Sequence, residues 1–348
     1  MTKSSTIKKN YLWIVIPFLT FLLSLIVGRY FISVSDLSKS IVSKIFNVPV
    51  DIPEIVDTVI FNIRLPRIIV AMIVGASLSL SGAAYQGMFR NPMVSPDILG
   101  ASQGASFGAA LGILLGFGVL GVQFISFAFG IAAVFLTYFI SKKVSKGIDT
   151  TLVLILSGIM VGTLFSSFVS LIKYVADPLN KLPAITFWLM GSLATISKDE
   201  ILVVFIPFLV GSIPLMLFRW KLNILSFGEE EAMALGLNTE KIRLIIIISA
   251  TLMTSSAISV CGLIGWVGLV VPHICRLMIG PDMKKIIPLS MIVGGTYLLI
   301  VDDLARTLLP IEIPLGILTA IIGAPFFIYL LNNNRRNYGY FRQSKTFI

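Results

Sequence analysis

Charge is scarce in this chain. Asp, Glu, Lys and Arg make up 13% of its 348 residues, against roughly a quarter in a soluble domain. A water-facing surface of that size cannot be built from so few charges, so the solvent must be largely lipid. Cysteine and histidine are scarcer still, with only Cys261, Cys275 and His273. They form neither a disulfide framework nor a metal-ligand spacing. No paired acid, base or metal constellation accompanies them, so no catalytic or metal residue is assigned. No GxxxxGK[ST] loop occurs, so this sequence has nothing to cradle a nucleotide phosphate. No cofactor is expected in the chain. The net charge of +10 is scattered over loops without a basic tract, which argues against nucleic acid and for orientation in a membrane.

What is present is hydrophobic sequence. Apolar residues make up 56% of the chain, and mean hydropathy is +0.96. Runs long enough to cross a bilayer core of roughly 30 Å recur from Tyr11 to Leu331. The spans fall at about 11–33, 65–88, 95–116, 120–141, 151–174, 200–219, 241–260, 263–279, 286–308 and 314–331. Backbone groups cannot go unpaired in hydrocarbon, and strict alternation is absent, so the spans are helices and not barrel strands. The opening "MTKSSTIKKN" resembles a signal-peptide n-region, but the apolar run after it is too long and lacks a cleavage site. It is read as a retained first span. One membrane domain, 1–348, is expected, with outer loops at 34–63 and 175–198; the second can form a short surface helix.

With a cytoplasmic N-terminus and alternating spans, 18 of the 27 basic residues fall inside, from Lys3, Lys8 and Lys9 to Arg342 and Lys345. Many acids fall outside, including Asp51, Glu54, Asp57 and Glu312. The bias matches the positive-inside rule, with both termini cytoplasmic in a cell (inner) membrane. "RLPR" at 64–67 then lies outside, against that rule. Pro66 marks a helix start there, where the dipole also disfavours Arg64 and Arg67. Either the two arginines pair locally with Glu54, Asp57 or lipid phosphate, or they dock something acidic from outside.

Four stretches carry further signals. Glycines 100, 104, 108, 112 and 116 line one helix face and predict close packing. The fifth span is rich in small polar residues without an ionisable group: Ser157, Gly158, Gly162, Thr163, Ser166, Ser167 and Ser170. These suit either a translocation path or a small-residue helix interface. In "CGLIGWVGLVVPHICR", glycines and Pro272 predict a broken helix, tolerated at membrane depth only inside protein or beside water. In "FGEEEAMALGLNTEKIR", Glu229, Glu230 and Glu231 suit a helix N-terminus. Gly236 can end that helix in a left-handed cap, and Asn238 or Thr239 can cap the next span. Such a small knob suits a groove on another protein.

Taken together these segments resemble the FecCD-type permeases, the membrane subunits of ATP-binding-cassette (ABC) importers for ferric siderophores, haem and cobalamin. "RLPRIIVAMIVGASLSLSGAAYQGMFRNPMVSPDILGASQGAS" (64–106) carries the resemblance most fully. It continues through "FWLMGSLA" (187–194), "EEEAMALGLN" (229–238), "GLIGWVGLVVPHICRLMIGPD" (262–282), "PLSMIVGGTYLLIVDDLAR" (288–306) and "IEIPLGILTAIIGAPFFIYLL" (311–331). The resemblance implies an all-α polytopic protein of about ten transmembrane helices, the type II ABC importer permease fold. It implies a second permease subunit, as homodimer or heterodimer, and two ATPase subunits that supply ATP and Mg chemistry. It also implies an extracytoplasmic substrate-binding protein. Matching positions assign docking of that protein to Arg64, Arg67 and Arg306, whose charge Asp302 can partly neutralise. Residues 229–238 match the coupling helix, with Glu231, Ala232, Ala234, Leu235 and Gly236 entering the ATPase. "RNPM" resembles the inner gate and nominates Asn91 and Met93. This chain has Met93 where leucine is common and "VSPD" where "AxPD" is usual. His273 belongs to the motif, and without a partner cluster it is read as structural.

The function expected is import of an iron chelate, with cobalamin or haem as alternatives of the same family. An ion-coupled secondary transporter would need ionisable residues at span centres, which are almost absent. An intramembrane enzyme would need the missing constellation.

Overall fold

The computed structural model describes residues 3–46, 53–145 and 150–343, and side chains within them from Trp13 to Tyr329. Asp51 and Lys345, used above for the charge bias, lie outside the described residues, as does Lys146, another of the 18 inner basic residues.

The described chain is helical: α1 (Lys3–Ile26), α2 (Val34–Phe46), α3 (Glu54–Asp57), α4 (Leu65–Met88), α5 (Ala101–Leu115), α6 (Val119–Val144), α7 (Thr150–Val175), α8 (Lys181–Met190), α9 (Asp199–Leu225), α10 (Glu229–Ala234), α11 (Thr239–Cys261), α12 (Val267–Ile279), α13 (Met283–Thr307) and α14 (Leu315–Gln343). Among the described residues, six helices are long and apolar enough to cross a membrane and four are shorter apolar helices. They fall on the ten expected spans. The 175–198 loop contains α8, as anticipated, and 34–63 contains α2.

One expectation fails at Pro66. The helix does not start there but runs unbroken from Glu54 to Met88. A proline ring clashes with the carbonyl four residues back and offers no N–H. The turns before it, Thr58–Arg64, are π-helical, and the Leu65 N–H reaches back five residues to Ile60. The wider turn accommodates the proline. The true N-terminus carries Glu54 and Asp57, the charge sign its dipole favours.

α4 is the axis of the bundle. It packs against α9, α11, α12 and α13, and the most apolar window of its helix is 83% buried, against 22% for α9. Helices without a hydrophobic drive toward one another need close backbone approach. The α5 stripe supplies it: a Cβ on Gly104 would strike the Phe129 carbonyl of α6. Gly82 on α4 does the same against Gly268 of α12. The break between α11 and α12 falls at 262–266, where Trp266 takes a left-handed conformation (φ 69°).

Candidate functional site

Arg64, Arg67 and Arg306 lie together at one end of the bundle, called here the RLPR end. They do not present free charge. Each is buried, with 4%, 6% and 5% exposure. Arg64 Nη1 donates to the carbonyls of Leu25 (2.6 Å) and Ile26 (2.9 Å), and Nη2 to that of Tyr30. It therefore caps the C-terminus of α1, whose last carbonyls have no partner in their own helix. That cap ends α1 at Ile26, short of the expected 33.

Arg67 uses both edges of its guanidinium. Nε and Nη2 engage Asp302 (2.8–3.1 Å), while Nη1 and Nη2 engage Glu312 (3.0 Å each). Arg306 Nη2 donates to the Ser24 carbonyl and hydroxyl (2.7 Å each) and to Asp303. Asp302 is 3.9 Å from Arg306, so its stronger partner is Arg67. The expectation of exposed docking charges is thereby corrected: the three arginines tie α1, α4, α13 and the 308–314 segment together. A buried cation is costly unless paired, and the partners come from 235 and 245 residues along the chain. Asp57, one expected partner, instead accepts from Ser40. The cations exposed at this end are Arg29, Lys39, Lys44 and Lys198, which sequence reading passed over.

A cleft of about 750 Å³ opens at the same end. Phe117, Gln123, Phe187, Trp188, Ser259 and Glu312 are among its lining residues. Glu312 thus joins the arginine network to the cleft wall.

The polar residues of α7 divide between two faces. Ser157, Gly158 and Gly162 are buried. A Cβ on Gly158 would strike the Ile98 carbonyl, and Gly162 lies against Gln103. These three serve packing, not a path, which corrects their assignment. Thr163, Ser166 and Ser167 are exposed. Thr163 and Ser167 donate back to their own helix at Ile159 (2.8 Å) and Thr163 (3.0 Å), leaving a smooth surface of low polarity.

At the opposite end, Asn91 and Met93 share the turn after α4. Asn91 Oδ1 accepts from the Met93 N–H (2.9 Å), and Met93 is half exposed. Nearby, α10 ends as expected. Leu237 N–H donates to Ala232 and Gly236 N–H to Met233 (3.0 and 2.9 Å), and Gly236 is left-handed (φ 78°), the Schellman closure. Asn238 caps α11 through Lys241 N–H (2.9 Å). Glu231, Ala234, Leu235 and Gly236 project outward, as does Met233, which the motif match does not assign to the ATPase contact. Ala232 is fully buried, so it anchors the knob and does not enter a partner. On the neighbouring helix ends, Asn223 Nδ2 and the Lys284 N–H hold the Asp282 carboxyl below its usual range.

Elsewhere, His273 on α12 is buried, and neither ring nitrogen has a hydrogen-bond partner. No group of three or more His, Cys, Asp or Glu able to hold a metal occurs among the described residues.

A helical bundle with a buried axis, a cleft at one end and a capped knob at the other defines a class. It is the membrane permease of a type II ABC importer, a transport component and not an enzyme. A solved inward-facing ABC transporter described as of the metal-chelate type superposes with a TM-score of 0.83 at 40% identity, over 94% of this chain and 99% of that one. The chain belongs to the FecCD transport family, whose model matches residues 15–333. It is 41% identical to the molybdate import system permease protein MolB of Haemophilus influenzae, over 91% of this chain and 93% of that protein. It is 38% identical to a probable iron chelatin transport system permease protein of Helicobacter pylori, over 80% and 83%.

Proposed function

We propose that this permease carries an iron chelate, a ferric siderophore, across the cytoplasmic membrane, with α10 and both termini in the cytoplasm. A second permease subunit completes the path. Two ATPase subunits grip α10 through Met233, Ala234 and Leu235, and a binding protein delivers cargo at the RLPR end. The observation that carries the transport reading is α10 itself: a rigidly capped helix with an exposed small face, on a sequence with no nucleotide loop. The exposed α7 face bearing Thr163, Ser166 and Ser167 supports a bulky cargo of low net charge. Its Thr163 and Ser167 hydroxyls are engaged internally, and no ionisable residue lies between Thr150 and Ser170. Asn91 and Met93 form the inner gate on this reading.

The binding protein meets the exposed Arg29, Lys39 and Lys198, with the buried arginines shaping the rim beneath. Encounter by exposed charge is salt-sensitive.

A second reading, molybdate import, is favoured by the Haemophilus influenzae relative. The test is uptake into cells lacking other iron and molybdate importers, with labelled ferric siderophores and labelled molybdate. Siderophore uptake unaffected by excess molybdate supports the first reading. Molybdate uptake without siderophore uptake replaces it with the second.

A further inference from the structure

The knob α10 is attached to the bundle by two covalent links, one to α9 and one to α11 through Leu235–Asn238, and by one ionic link. Its covalent link to α9 runs through Ser226, Phe227 and Gly228, outside any helix, with Gly228 at φ 147°. The link to α11 leaves from the end of α10, and the ionic link fastens its start: the Glu229 carboxylate meets the Arg243 guanidinium of α11, whose side chain is only 11% exposed. A six-residue helix has no stability of its own, so these links and the buried Ala232 fix its position. A neighbouring pair, Lys142–Glu240 at 3.0 Å, is exposed on both sides and so contributes little.

α11 continues from Arg243 through the core, packed on α4, α5, α6 and α9. At its far end Ser259, Val260 and Cys261 line the 750 Å³ cleft, followed by Gly262. α9 precedes α10 in sequence, yet supplies no residue to that cleft. The helix that reaches both the knob and the cleft is the one gripped by the ion pair.

We propose that Glu229 and Arg243 are positioning residues. Their ion pair joins the knob to α11, and α11 is the rod that carries a displacement of α10 to the cleft. The inference rests on the reading of α10 as the ATPase contact. A charge-assisted bond with one partner nearly buried holds geometry better than an exposed pair. α11 is a single helix already packed along its length, so it moves as one body.

The experiment uses the permease assembled with its ATPase in proteoliposomes, carrying Ala194→Cys at the cleft. The native Cys261 and Cys275 are buried. The labelling rate by a water-soluble maleimide is measured with and without ATP, Mg and vanadate, alongside ATP hydrolysis. The parent complex should change its rate on the order of tenfold with nucleotide, a usual size for coupling between sites. Glu229→Gln and Arg243→Gln should each hydrolyse ATP and lose most of that response. The exchanged pair, Glu229→Arg with Arg243→Glu, should recover it, which a merely local folding defect would not. A full response in both single variants overturns the proposal, as does no response in the parent. Ala234→Arg separates the two levels. If it too responds normally, the contact reading of α10 has failed. If it alone loses the response, only the strap has failed.

Discussion

The two ends of this bundle use charge in opposite ways. At the RLPR end three arginines are drawn inward: Arg67 and Arg306 pair with Asp302, Asp303 and Glu312, and Arg64 is satisfied by backbone carbonyls. At the α10 end, small and apolar side chains project while the helix behind them is capped and strapped. The charged motif that looks most like a docking surface is internal, and the projecting feature is the small knob at 229–236, which carries its exposed contact face on Met233, Ala234 and Leu235. Charge in a lipid-embedded protein is therefore not a guide to surface. A cation near hydrocarbon first finds an internal partner, because leaving it unpaired costs several kcal/mol.

The largest expected effect tests that inward reading. Asp302 is fully buried and holds Arg67 by one edge of its guanidinium, through Nε and Nη2. Asp302→Ala should cost about 3–5 kcal/mol by leaving a buried cation short of its partner. The check is the unfolding midpoint of the detergent-purified permease. Arg67→Met with Asp302→Leu should recover most of the loss, since matched apolar replacement of a buried pair is often neutral. Unchanged stability in Asp302→Ala would return Arg67 to the surface. For the same reason Arg64→Glu with Arg67→Glu should impair folding as well as cargo capture.

These particulars also mark what the sequence makes legible. Span number and position follow from hydropathy, because a bilayer fixes helix length. The α10 cap and the Asn238 cap were readable because their chemistry lies within a few residues. The partners of Arg67 were not, because tertiary packing brings in Asp302 and Glu312 from more than two hundred residues away. Ser157, Gly158 and Gly162 were assigned with Thr163 and Ser166 from composition alone. Helical periodicity places some toward α5 and others outward, but it does not say which face is the core. Pro66 misled because a π-helical turn absorbed it.

Two smaller effects sharpen the other side of the comparison. Ala232 anchors α10 with no exposed surface, so Ala232→Phe should overpack the site and cost about 1–3 kcal/mol. It should also release α10, read as faster proteolysis near residue 234. Asn238→Ala removes the cap of α11 and should cost about 1 kcal/mol, as N-cap losses do. Equal effects of the two substitutions would mean that the knob is held by its cap and not by its buried anchor.

The smallest expected effect on stability is the most informative about function. Ala234 is exposed beside Met233 and Leu235, so Ala234→Arg should change stability by less than about 0.5 kcal/mol. If the projecting face enters an ATPase groove, the same substitution should abolish uptake while the permease remains folded in the membrane. Stability and transport would then separate at the α10 end, where surface is functional, and fall together at the RLPR end, where charge is structural. Measuring both quantities for Ala234→Arg and Asp302→Ala in one preparation decides it. Transport at the parent level in Ala234→Arg would leave α10 as a membrane-surface turn and remove the contrast between the two ends.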